Sequence, residues 1–228
     1  MRMLMEFKKG DTIRYLGLLD LQRTMQRALR RSRLPVAYSN GFNPHIVMAF
    51  ASALSSGIPG DAEVLDVSLE RSIKADSCFD AMKSVLPPDL QPNRIRLVGD
   101  RFPKLGKILE YAEYQFNLNE NAASVINCLE TFMNKRSVMA VRKSKSGEKE
   151  VDIIPMIREL HGTMKDDSAG VIQAIVSFTE ASTLKPDLLM DTVCRETGIE
   201  TVPYRVRRKG LYATYQGKLY TLLDYPEL

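Results

Sequence analysis

"IVMAFASALSSGIPGDAEVLDVSLE", residues 46–70, is the stretch on which the fold reading turns. Two apolar runs, IVMAFASAL and EVLDVSLE, flank SSGIPGDA, whose glycines and proline interrupt regular structure. That pattern predicts two strands joined by a loop. Upstream, "DLQRTMQRALRRSR" from Asp20 to Arg33 has a helical period. Leu21, Met25, Ala28 and Leu29 share one face, Arg23, Arg27 and Arg30 the opposite one, and Pro35 ends the helix. Residues 2–9 alternate Met3, Met5 and Phe7 with polar neighbours, as a half-buried strand does, and Gly10-Asp11 marks a turn. Downstream, "IKADSCFDAMKSVL" reads as an amphipathic helix and "NRIRLVGD" as a short strand.

The order strand, helix, strand, strand, helix, strand predicts a ferredoxin-like α+β unit over residues 1–100. "RFPKLGK" reads as a linker, and residues 108–228 are expected to repeat the order with an insertion. "EYAEYQFNL" alternates as a strand, and "NAASVINCLETFMNK" predicts a helix with Val125, Ile126, Leu129 and Phe132 on one face. "SVMAVRK" is a strand, "SKSGEKE" a solvated mobile loop, and "VDIIPMIREL" an insertion. "VIQAIVSF" is a strand, "KPDLLMDTVCRE" a helix, and "VPYRVRRKGLYAT" with "KLYTLL" a hairpin. The fold class expected is α+β: two tandem ferredoxin-like units, antiparallel sheets with helices on one face.

A net charge of +4 is too mild to name a partner by itself, so the placement of charge matters more. The longest apolar run is too short to span a bilayer, and the first residues lack the pattern of a signal peptide. Cys78, Cys128 and Cys194 are far apart and odd in number, which suits reduced thiols and a cytoplasmic location.

Residues 13–70 closely resemble the radical-SAM-linked domain of unknown function, a family found free-standing or fused behind a cobalamin-type radical SAM protein. The resemblance rests on Arg27-Ala28-Leu29-Arg30-Arg31, on Leu34-Pro35 leading to Gly41-Phe42-Asn43-Pro44-His45, and on Glu63 with Asp66. Leu184-Lys185-Pro186 before the last helix also fits. Where that family usually has Ser-His-Leu-Asp, this chain has Gly17-Leu18-Leu19-Asp20, so a histidine gives way to Leu18. Gly17 at the N-cap with Asp20 three residues on keeps part of a capping role. Ile46 stands where a second proline is common. The family's genes tend to lie near those of ribosomal proteins and RNase E/G-type enzymes. The resemblance therefore implies RNA metabolism, with a cobalamin-type radical SAM protein and RNA, tRNA or rRNA, as partners. The tandem fold also resembles that of CRISPR repeat-processing endoribonucleases, a fold-level analogy only.

Candidate nucleic-acid contacts are Arg14, Arg23, Arg27, Arg30, Arg31, Phe42, Asn43, His45, Arg205, Arg207, Arg208 and Lys209. Arg33 lies beside the helical stripe. Guanidinium groups form bidentate bonds to phosphate, and few acids interrupt the helix. A solvated helix face is the bland alternative. Gly41, Asn43 and Pro44 shape the turn. Phe42 either anchors that turn in the core, the preferred expectation, or offers a ring for base stacking. His45 either bonds its own loop or transfers a proton, in which case Tyr15, Tyr38 or a lysine must supply the second group. Arg205 and Arg207 are expected on one strand face with Arg208 and Lys209 at a turn; a basic edge strand is the alternative. Glu63 and Asp66 point to opposite faces of their strand, so they do not form a carboxylate pair. His161 is expected in a loop. No radical-SAM cysteine triad, phosphate loop or Ser/His/Asp order occurs, and no cofactor or metal is expected in this chain. The readings rank as RNA-binding accessory protein, then protein–protein adaptor, then RNA-processing enzyme through His45.

Overall fold

Alternating and helical periodicities become two compact units in the computed structural model, which describes residues 1–144, 147–199 and 202–227. One comprises Met1–Leu109 with the chain from Gly210 onward; the other is Glu110–Lys209. The architecture is mixed α and β, and every strand pairing with a defined register is antiparallel.

In the first unit, β1 (Arg2–Lys9) lies between β3 (Gly60–Ser68) and β4 (Pro92–Val98), with β2 (Met48–Phe50) on the far edge of β3. Met3 faces Val67, Met5 faces Leu65 and Phe7 faces Glu63 across β1 and β3. Cross-strand partners share a face, so these apolar side chains make one surface. It packs on Met25 and Leu29 of α1 (Leu18–Ser32) and on Cys78 and Met82 of α2 (Ala75–Val85). Helix α1 ends where Arg33 turns left-handed at φ 56° and ψ 20°, two residues before Pro35. Strand β2 is shorter than the expected 46–54: outside it, the Val47 carbonyl accepts from the Ser68 N–H, the Ala51 N–H donates to the Val64 carbonyl, and Ile46 forms an isolated bridge with Tyr38.

The unit extends beyond the expected residue 100, because Phe102, Leu105 of the short helix α3 (Leu105–Ile108), and Leu109 are buried. The expected 108–228 unit likewise differs, since the segment from Gly210 onward groups with the first unit. Its Leu222, Leu223 and Tyr225 are buried, and Arg96 of β4 donates to the carbonyls of Leu223 and Tyr225 at 2.6 and 2.7 Å. Arg94 forms a fork with both Asp224 oxygens, at 2.8 and 2.9 Å.

The second unit begins with β5 (Tyr111–Leu118), whose side chains alternate between half-buried and buried. The expected single helix is two short ones, α4 (Ala122–Ile126) and α5 (Leu129–Met133), interrupted at Asn127 and Cys128. Val125, Leu129 and Phe132 still bury the predicted face. The expected strand SVMAVRK is β6 (Met139–Ser144), but the expected mobile loop contributes a second strand, β7 (Gly147–Asp152), that pairs with it; residues 145 and 146 lie outside the described ones. The expected insertion contains β8 (Ile157–Met164), which pairs with β9 (Gly170–Ser177). β9 in turn pairs with β5. Helix α6 (Pro186–Thr197) starts with proline at its first position, where no backbone N–H is needed. The long strand β10 (Tyr204–Tyr215) belongs to this unit up to Lys209 and to the first unit thereafter, where it forms a hairpin with β11 (Lys218–Thr221). Among the described residues no helix is long and apolar enough to cross a membrane.

Candidate functional site

The loop before α1 is fixed from both ends. Alternation that puts Met3, Met5 and Phe7 inward also brings Lys9 inside, at 1% exposure. A buried ammonium needs acceptors, and its Nζ donates to the carbonyls of Arg14 and Leu16 at 3.0 and 2.9 Å. Asp89 holds the other end by accepting from the Thr12 backbone at 3.0 Å and from the Thr12 hydroxyl. The hydroxyl bond is the main cause of a lowered Asp89 pKa. Lys9 was not singled out among the candidate residues; the alternation of β1 was the available signal. So anchored, the loop shows solvent Tyr15, 70% exposed, with the Arg14 guanidinium 4.8 Å from its ring centroid. Arg14 also donates to the Asp11 carbonyl.

Helix α1 begins at Gly17 without a side-chain cap. Asp20 does not take up the expected capping role; its carboxylate pairs with Arg23 at 3.2 Å on the exposed surface. Arg31 donates to the Val85 carbonyl at the end of α2, a favourable place for a cation. Arg27, Arg30 and Arg33 are exposed and have no hydrogen-bond or ion-pair partner among the described residues. Arg27 and Arg31 line a groove of about 400 Å³ with Thr24, Ser84, Val85, Leu86 and Pro87. Among the described residues no carboxylate lines it, so its cationic lining suits an anion.

The Gly41–His45 stretch forms the tip of a small hairpin. Tyr38 bridges to Ile46, the Ser39 N–H donates to the His45 carbonyl at 2.8 Å, and Val47 N–H donates to the Ala37 carbonyl at 2.9 Å. Ile46, 1% exposed, roots the arm in the core. Gly41 has φ +120°, which a side chain would resist. The preferred expectation for Phe42 is overturned: its ring is 106% exposed, because the tip projects beyond any neighbour that could cover it. Asn43 is exposed as well. The His45 N–H donates to Ser39 Oγ at 3.1 Å, and its Nδ1 lies 2.8 Å from the same oxygen. This is the loop-bonding role; among the described residues neither Tyr15, Tyr38 nor a lysine hydrogen-bonds the ring.

The C-terminal basic residues are divided. Arg205 is exposed and Arg207 half-buried, but Arg208 is 1% exposed, with its guanidinium 5.4 Å from the Phe178 ring centroid. Arg208 and half-buried Lys209 are not at a turn; they sit inside β10, whose turn is Gln216-Gly217 with φ 48° and 77°. Arg208 is thereby removed from any phosphate-contacting surface, because burial in the sheet leaves it no access to one. His161, expected in a loop, lies on β8 with its Nε2 2.8 Å from Gln173 Oε1 across the strand pair.

Glu63 and Asp66 do occupy opposite faces. Glu63 is 4% exposed opposite Phe7, and its carboxylate folds over Gly60, where a Cβ would lie 2.5 Å from Oε1. Asp66, opposite Leu4, pairs with Arg2. Among the described residues no group of three or more His, Cys, Asp or Glu is placed to hold a metal. Burial pushes the Cys78 and Cys194 thiols up in pKa, away from nucleophilic use.

Fold and site together define a mixed α/β protein with antiparallel sheets, an arginine-rich helix and a projecting aromatic hairpin. The chain belongs to the family described as "uncharacterized protein conserved in bacteria (DUF2344)", whose model matches residues 2–186. Comparison with curated proteins found no match.

Proposed function

We propose that the protein is a cytoplasmic RNA-binding accessory factor that works with a radical SAM enzyme in tRNA or rRNA modification. The observation carrying this reading is that Arg27, Arg30 and Arg33 are exposed without an acidic partner among the described residues, and that Arg27 lines a groove in which no described carboxylate lies. Arginines kept unpaired suit phosphate, whose contacts supply much of the affinity of nucleic-acid binding. A tandem ferredoxin-like architecture fits the reading. It is supported by the strand orders β4-β1-β3-β2 and β10-β5-β9-β8, in which each unit's fourth, first, third and second strands lie side by side once the β6–β7 hairpin is set aside. Partnership with a radical SAM protein is supported by the resemblance of residues 13–70. Because this chain lacks a radical-SAM cysteine triad, the partner supplies the radical chemistry.

The test is RNA binding followed by fluorescence anisotropy across a salt series, with wild type and the Arg27→Glu/Arg30→Glu double variant. The expected result is at least a tenfold weaker affinity and a salt slope smaller by roughly 1.4, two single-strand phosphate contacts at about 0.7 each. Equal affinity and slope in the two proteins would refute the proposal.

A second reading, a protein–protein adaptor without RNA contact, is favoured by Leu18 and Leu19, 39% and 68% exposed beside Tyr15. It predicts capture of a radical SAM protein that survives nuclease and is lost in Leu19→Glu. The enzyme reading through His45 has no such supporting observation.

A further inference from the structure

The hairpin that ends at Phe42 carries a large aromatic ring wholly in solvent. A phenylalanine this exposed forfeits the stabilisation that burying its ring gives. The arm carrying it is nevertheless well ordered: a buried Ile46 root, two cross-arm hydrogen bonds and the double contact of Ser39 with His45 set its course. Gly41 and Pro44 bracket the tip with a left-handed and a ring-restricted backbone. At the tip Asn40, Asn43 and His45 are polar and exposed and Pro44 is exposed, while the arm's other exposed large hydrophobics, Tyr38 and Val47, sit at its base, so Phe42 is the one large apolar side chain at the tip. Protein-docking anchors are generally surrounded by further apolar contacts that exclude water. A solitary ring with two open faces suits a flat π partner instead.

Arg33 lies five positions before Tyr38 at the arm's base, which places their Cα atoms at most about 18 Å apart. Tyr38 is itself 44% exposed, and at the other end of α1 Arg14 stacks on exposed Tyr15. Aromatic rings beside a cationic track are the arrangement that holds single strands, because each base offers a face and each phosphate a charge. In a duplex the base faces are already stacked on one another, and the deep major groove of A-form RNA is closed to side chains. Within the RNA-binding reading on which this rests, we propose that the substrate is single-stranded or loop RNA. One unpaired base stacks on Phe42 while Arg27, Arg30 and Arg33 take phosphates of the same strand.

Full-length wild type, Phe42→Ala, Phe42→Leu and Phe42→Tyr are titrated against an unstructured RNA 12-mer and its blunt duplex at fixed salt. Wild type is expected to prefer the single strand at least tenfold. Phe42→Ala and Phe42→Leu lose roughly ten- to a hundredfold on the single strand and little on the duplex, whereas Phe42→Tyr retains affinity. Because the side chain is fully exposed, these variants fold as wild type, which circular dichroism checks. Equal affinity for strand and duplex, or a Phe42→Leu protein that binds as well as wild type, overturns stacking while leaving RNA binding intact. No binding of either RNA by wild type instead brings down the underlying reading and stacking with it, and points to a protein partner.

Discussion

Replacing the Leu222 codon with a stop deletes Leu222, Leu223 and Tyr225, which are 0%, 2% and 8% exposed. At about 1.5–3 kcal/mol for each large apolar side chain, burial lost amounts to about 5–9 kcal/mol, an upper figure because unfolded chains already bury some surface. Arg96 also loses both carbonyl acceptors. The Arg94–Asp224 ion pair disappears too, but with side chains 42% and 52% exposed it contributes only about 0–1 kcal/mol. Apolar burial dominates, and its loss is comparable with the whole stability of a typical domain. Native-state hydrogen exchange distinguishes the units better than a single melting curve, since a protein of two units need not unfold in one step. Amides of β1 and β4 are expected to lose most of their protection, while those of β5 and β9 keep theirs. If β5 and β9 lose protection and β1 and β4 do not, the assignment of this segment to the first unit is wrong. Undiminished protection in β1 and β4 would refute the energetic argument as well.

Gly170→Ala places a Cβ 2.7 Å from Ile126 Cδ1 and 2.8 Å from Ala122 Cβ, so overpacking by about 1–3 kcal/mol is expected in urea denaturation. Ile126→Ala in the same chain should restore part of that loss, and strict additivity of the two changes would argue against the contact. The Arg94 hydrogen bond, with Thr221 assisting and partial burial opposing, holds the Asp224 carboxyl below its ordinary value. A lowered folded pKa means stabilisation that is present above the unfolded pKa, about 3.9, and is lost as pH falls through the folded value. Asp224→Asn should therefore flatten the acid-side decline in β4 protection below about pH 4, and an unchanged pH profile would contradict it.

How much was legible in the chain depends on the range of the forces involved. Helix α1 could be read because its apolar positions recur at helical spacing, and β5 and β9 because their side chains alternate. Breaks at Asn127 and Cys128 could not, since apolar spacing on both sides continues through them. Strand β6 could be read from SVMAVRK, but its partner β7 could not: GEKEVD is too polar to announce a strand, and only pairing with Met139–Ser144 makes it one. At the candidate site, helical spacing placed the arginines on one helix face but did not separate Arg23, paired with Asp20, from Arg27 and Arg30, which have no partner among the described residues. Nor did basic character distinguish Arg205, in water, from Arg208, in the core.

By itself, the sequence determined the local periodicities, the turn chemistry of Gly41, Asn43 and Pro44, and the arginine-rich face of α1. Each follows from backbone preference and side-chain spacing over a few residues. Tertiary structure alone decided that Lys9 is buried to hold the loop ahead of α1, and that the chain from Gly210 returns to the first unit. It alone decided that Phe42 stands in solvent. Those outcomes depend on which distant surfaces are available to cover a side chain, and burial is a property of the assembled fold rather than of any stretch of residues.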